Sequence, residues 1–137
     1  MAILIVEDSP SIAQMLTAVL EQGGFDDMLV VSSGEEVLDL FNKKKKGGKR
    51  NNIELVLLDL VLPGIDGLEV CRTLKKWDEV AHVPVIVVTA KNDVETMEAA
   101  FEAGAWDFLV KPVNGLKLVI RVKAALAKMR EIEKRFN

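Results

Sequence analysis

The sequence predicts a single α/β domain built on a five-stranded parallel sheet. Three observations carry that prediction. Five short apolar runs alternate with stretches of helical period; the runs are rich in Val, Ile and Leu without strict polar alternation; and half of the 137 residues are hydrophobic. Continuous apolar strands mark a sheet buried on both faces. Repeated strand–helix alternation marks parallel crossovers with helices on both sides of the sheet. The length suits one domain with a sizeable core.

Taken in order, the predicted strands are Ile3 to Val6, Met28 to Val31, Ile53 to Leu58, Val85 to Val88 and Phe108 to Val110. The first helix opens with Ser9 as N-cap and Pro10 at its first position, where the missing N–H costs nothing. Its apolar residues Ile12, Met15, Leu16, Val19 and Leu20 follow the spacing of one helix face, and Gly23-Gly24 ends it. Similar faces appear in Val37–Leu38–Phe41, Leu68–Cys71–Leu74 and Val94–Met97–Phe101, with Trp77 expected to cap the third helix. The last segment, Gly115 to Asn137, carries a stripe of Leu118, Val122, Leu126, Met129, Ile132 and Phe136. That stripe outruns a closing helix of ordinary length. Residues 128–137 are therefore read as an extension of a domain spanning 1–127, either a coiled-coil stalk toward an output domain or a second copy, or a fraying end.

Right-handed crossovers leave few topologies for five such strands. The common one is the doubly wound, flavodoxin-like order 2-1-3-4-5, whose ligands bind beyond the carboxyl ends of the strands at the switch point between strands 1 and 3. The residues at those ends are Glu7-Asp8 after strand 1, Asp59 after strand 3, Thr89 after strand 4 and Lys111-Pro112 after strand 5; Ser32-Ser33 ends strand 2, away from the switch point. Taken singly, Asp59 reads as a turn residue before Pro63-Gly64. Taken together, three carboxylates converge with a hydroxyl and an ammonium. Clustered carboxylates repel unless a cation holds them, and an all-oxygen site with room for water suits Mg²⁺.

The segments "ILIVEDS", "VLLDLVLPGIDGLEVCR", "VVTA" and "GAWDFLVKP" resemble the signature segments of response-regulator receiver domains over about residues 2 to 127. The resemblance implies that Asp59 is the phosphoacceptor, taking a phosphoryl group from a histidine kinase or phosphotransfer protein. It implies direct Mg²⁺ ligation by Asp8, Asp59 and the backbone carbonyl of Val61, with Glu7 acting mainly through water. Lys111 would pair with Asp59 and then with the phosphoryl group, Thr89 would donate its hydroxyl to it, and the small Ala90 would let the backbone approach. Thr89 and Phe108 would form the switch, although Phe108 lacks the hydroxyl of the tyrosine common there; plain core packing is its other reading. The Lys111-Pro112 peptide would be cis, and Val61 and Lys91 would stand where side chains influence hydrolysis of the phosphoryl group.

Other features bound the reading. Net charge is −3, and since Lys43–Lys46, Lys49 and Arg50 contribute +6, the remainder carries −9. A broad basic face is thus missing, and no direct nucleic-acid binding is expected. The basic run is read as a solvated loop, with docking of an acidic partner as its other reading. No apolar run approaches the roughly 18 residues of a membrane span, no signal-peptide pattern opens the chain, and the single cysteine suits a reducing compartment; a cytoplasmic location is expected. His82 reads as a surface loop residue, Cys71 as core, and Trp106 as exposed. "KPVNGLKLVIRVKAAL" is more similar to receivers in front of cyclic-nucleotide-making or kinase modules than to those in front of DNA-binding ones, which commonly have Glu where Lys117 stands.

The chain is read as a signalling receiver that switches its helix 4–strand 5–helix 5 face, with no turnover of an external substrate beyond its own phosphotransfer and slow autodephosphorylation. An aspartate-nucleophile phosphohydrolase would carry a second acid two residues after Asp59, where Val61 stands. A degenerate receiver used only as an interaction module would be expected to lack one of the five signature residues.

Overall fold

The computed structural model describes residues 2–42 and 52–136. The basic run falls within residues 43–51 and lies outside the described residues. The elements run β1 (Ala2–Val6), α1 (Pro10–Gln22), β2 (Met28–Val31), α2 (Gly34–Phe41), β3 (Ile53–Leu58), α3 (Gly67–Lys76), β4 (Val85–Thr89), α4 (Val94–Glu102), β5 (Asp107–Val110) and α5 (Gly115–Phe136). The strands form one parallel sheet in the order β2-β1-β3-β4-β5, as expected from the alternation. Among the described residues no helix is long and apolar enough to cross a membrane.

Local chemistry sets the helix ends. Ser9 caps α1 by accepting from the Ile12 N–H, with Pro10 at the first position. Gly24 beyond its end has φ +98°, a conformation that favours glycine. Ser33 and Glu36 form a capping box at α2, while Asp66 and Asp93 cap α3 and α4. The S-x-x-E spacing of Ser33 to Glu36 was legible in the sequence but was not read there. Trp77 stands at the C-cap of α3, as expected.

Two apolar layers sandwich the sheet because successive strand residues face opposite sides. Ile3, Ile5, Leu55 and Leu57 pack with Leu16 and Leu20 of α1 and Leu118 and Val122 of α5. Leu4, Val6, Val56 and Leu58 pack with Val37 of α2 and Val70, Cys71 and Leu74 of α3. On α1 the buried face is Ala13, Leu16 and Leu20, whereas Met15 is exposed. The buried stripe is thus rotated slightly from the predicted one, with Ala13 inside and Met15 outside it. His82 and Trp106 are exposed and Cys71 is buried, all as expected.

Two polar groups, half-buried Lys75 and buried Cys71, tie α3 to the loops beside it. The Lys75 ammonium donates to the Ala81 and Val83 carbonyls at 3.0 and 2.6 Å, so it holds the loop that leads into β4; burial pulls its pKa down. The Cys71 thiol donates to the Ala103 carbonyl, and burial pushes its pKa up despite Lys75 and Arg72 nearby. A buried, protonated thiol is a poor nucleophile.

Two outcomes follow. Leu57→Ala, which empties volume at the centre of the first layer, should lower stability in urea unfolding by about 2–5 kcal/mol; a loss below about 1 kcal/mol would contradict the packing described. In the native chain Cys71 should react with an aromatic disulfide reagent only as fast as α3 opens, and brisk labelling without denaturant would contradict its burial.

Candidate functional site

The sheet register assembles the site. Val6 pairs with Leu58 and Leu58 with Val87, so the residues that follow β1, β3 and β4 emerge side by side. The Asp59 N–H donates to the Val6 carbonyl at 3.1 Å, extending the ladder to the acidic residue itself. Lys111 follows β5, and its N–H donates to the Thr89 carbonyl at 2.9 Å. The peptide between Lys111 and Pro112 is cis, as the resemblance implied. Gly67 closes the back of the pocket. A Cβ there would lie 2.5 Å from the Asp59 carbonyl oxygen and 2.6 Å from the Leu60 Cα, so only glycine lets α3 start against the exit of β3.

Glu7, Asp8 and Asp59 place carboxylate oxygens within 4.8 Å of one another, the arrangement of a candidate cation site. Glu7 and Asp59 are buried, at 4% and 6% exposure, while Asp8 stands at the open side. Burial of such charges requires partners. Lys111 Nζ supplies them, donating to Glu7 Oε1 at 2.5 Å and to Asp59 Oδ2 at 2.8 Å. The remaining oxygens are held by backbone: the Ser9 N–H donates to Glu7 Oε2 and the Val61 N–H to Asp59 Oδ1, both at 3.1 Å. No buried side-chain polar atom among the described residues lacks a hydrogen-bond partner.

Burial by itself would lower the Lys111 pKa, but hydrogen bonds to Asp59 and Glu7, reinforced by their charges, outweigh it and raise the value above that of an ordinary lysine. The ammonium is therefore a fixed positive charge at neutral pH. Counting Glu7, Asp8 and Asp59 as ionised against Lys111, the pocket retains a formal charge of −2, which a divalent cation matches.

Thr89 is fully buried, and its hydroxyl accepts from the Lys91 N–H at 3.4 Å. Phe108 is 8% exposed and packs with Leu60, Val87 and Ala100, so its ring lies inside the protein behind β4. The Val61 side chain is 54% exposed. The structure thus brings together Glu7, Asp8, Asp59 and Lys111, with Thr89 on the adjoining strand end. Two features escaped the sequence reading. The Glu7–Lys111 pair spans 104 residues and has no local signal. The Val61 N–H acts on Asp59, whereas that residue was singled out only for its carbonyl.

Such an array defines a class: an acidic pocket at the switch point of a doubly wound sheet, with one carboxylate held between an ammonium and a backbone N–H. Residues 3–123 match the response regulator receiver domain family. The chain belongs to that family and is the receiver domain of a two-component response regulator. It is 40% identical over 124 residues to the DNA-binding response regulator MtrA of Mycolicibacterium smegmatis, covering 90% of this chain and 50% of that protein. It is 36% identical to the transcriptional regulatory protein AfsQ1 of Streptomyces coelicolor, covering 91% and 51%. A crystal structure of a putative response regulator from Chloroflexus aurantiacus superimposes with a TM-score of 0.82 at 36% identity, covering 92% of this chain and 97% of that one.

The chain thus spans about half the length of the curated relatives it matches. Their names give no support to the expectation that nucleic acid plays no part. The receiver domain of a signal transduction histidine kinase from Syntrophus aciditrophicus is also similar, at 32% identity and a TM-score of 0.79, covering 93% of this chain and 90% of that one.

The raised Lys111 pKa fixes a pH window. Its folded value exceeds the ordinary 10.5, so the stability from its contacts is complete below that pH and is lost as pH rises through the folded value. Lys111→Met should cost about 1–3 kcal/mol at neutral pH, as two buried acceptors lose their donor. It should also flatten the alkaline fall in the urea midpoint above pH 10.5. Identical alkaline limbs in both proteins would refute this assignment.

Proposed function

We propose that this receiver accepts a phosphoryl group on Asp59 with Mg²⁺ and passes the change to the face formed by α4, β5 and α5. The observation that carries the reading is the geometry at Asp59: a buried carboxylate 2.8 Å from a permanent cation, inside a cluster of three acids. A carboxylate oxygen of Asp59 attacks the phosphorus of a phosphohistidine on a histidine kinase or phosphotransfer protein. The P–O bond forms as the P–N bond breaks, and the ring nitrogen leaves with its electron pair.

Asp8, Asp59 and the Val61 carbonyl would hold Mg²⁺ directly and Glu7 through water; the donors are all oxygen, as this hard cation requires. When bound, the ion neutralises charge on the transferring oxygens. Lys111, already poised on Asp59, follows the charge onto a phosphoryl oxygen. The Thr89 hydroxyl reaches the same group by exchanging its contact with the Lys91 N–H. Lys91 and Val61 border the phosphoryl group and influence its loss to water, which is slow and makes the domain a timer with no external substrate.

Thr89 and Phe108 act as the switch, with the ring following the threonine along β4 and β5. Support comes from the surface above them: Met97, Phe101, Val110, Leu116 and Ile120 are all exposed on α4, β5 and α5. Exposed apolar residues gathered on one face suit a surface that meets a partner. The relatives' names and lengths support a DNA-binding output segment as that partner, with the receiver controlling it from residues 1–127 in the cytoplasm.

Acetyl phosphate with Mg²⁺ should add the mass of one phosphoryl group to the intact chain. The gain should vanish in Asp59→Asn and on chelation. Equal labelling of Asp59→Asn would sink the assignment, and no labelling of the native chain would favour a phosphorylation-independent interaction module.

A further inference from the structure

At the pole of the sheet opposite the acidic pocket, a cleft of about 50 Å³ separates α5 from the amino ends of β3 and β4. One wall is Ile53, Glu54, His82 and Val83; the other is Leu126, Met129, Arg130 and Glu133 of α5. The helix is continuous from Gly115 to Phe136, about 33 Å at 1.5 Å per residue. Its inner stripe runs from fully buried Leu118, Val122 and Ala125 through Leu126 to half-buried Met129 and Ile132. The outer face pairs Glu131 with Lys128 and Arg135 in water. Beyond residue 127 the apolar side therefore still faces the domain.

We propose that the α5 extension is a strap docked on the domain's own amino pole, the cleft being its seat. Met129 lines the cleft inside the chain, so a coiled-coil seam built on it forms only after undocking. The seat carries a charge pattern that tunes docking. Glu54 and His82 on the body face Arg130 and Glu133 on the strap. Whatever continues from α5 takes its direction from this seat, at the pole farthest from Asp59.

Oxidative footprinting of the intact chain by mass spectrometry tests the strap, because methionine oxidation follows exposure. Met15 and Met97, each more than a third exposed, are internal references. Met129 should oxidise at least about twofold more slowly than either. His82→Glu sets a second carboxylate, beside Glu54, against Glu133 and should accelerate Met129 alone, whereas adding Glu133→Lys to that variant should return the native rate. Equal rates for the three methionines in the native chain would overturn the proposal. So would a Met129 rate indifferent to His82→Glu, or one that Glu133→Lys fails to restore.

Discussion

The Lys111 ammonium between Glu7 and Asp59 is the contact on which the rest of the site depends. It joins the ends of β1, β3 and β5 across the top of the sheet. Two buried carboxylates side by side would otherwise repel and lose hydration together, a cost no nearby apolar packing offsets. With the cation in place and a backbone N–H on each acid, the pocket is satisfied while Asp8 remains open to solvent. The site is thus satisfied internally yet keeps a formal charge of −2, the charge a divalent cation would match.

That contact exists only because the strands hold their ends in register. Parallel pairing places Val6, Leu58 and Val87 in one row, and the next residues on β1 and β3 are the acids. The apolar layers on both faces enforce the register, since a slip of one residue would send Ile5 and Leu57 to the wrong side. Gly67 adds a second constraint by letting α3 begin in contact with Leu60.

The same helix that closes the first layer reaches both poles. α5 starts just after Lys111 and Pro112, lies along α1, and ends over the amino ends of β3 and β4. Arg121 ties it to Asp107 at the start of β5 through two 2.7 Å hydrogen bonds.

Most of the fold was legible in the residues alone. Val-, Ile- and Leu-rich runs can be satisfied only as buried parallel strands, and Ser9-Pro10 or Gly23-Gly24 state helix ends by local chemistry. The five strand-end residues followed from topology, because a doubly wound sheet exposes its carboxyl ends at one crevice. Tertiary structure decided the partners that no local pattern names. The Glu7–Lys111 pair and the cleft under Met129 join residues distant in sequence, and the inward ring of Phe108 depends on what packs against β5, whereas the Val61 N–H on Asp59 is a local contact two residues apart that escaped notice. Periodicity names the face of a helix to within a residue or so, as Met15 shows, and says nothing of what that face meets. Hydrogen bonds act over about 3 Å, so their partners are settled only when packing has brought the chain to that distance.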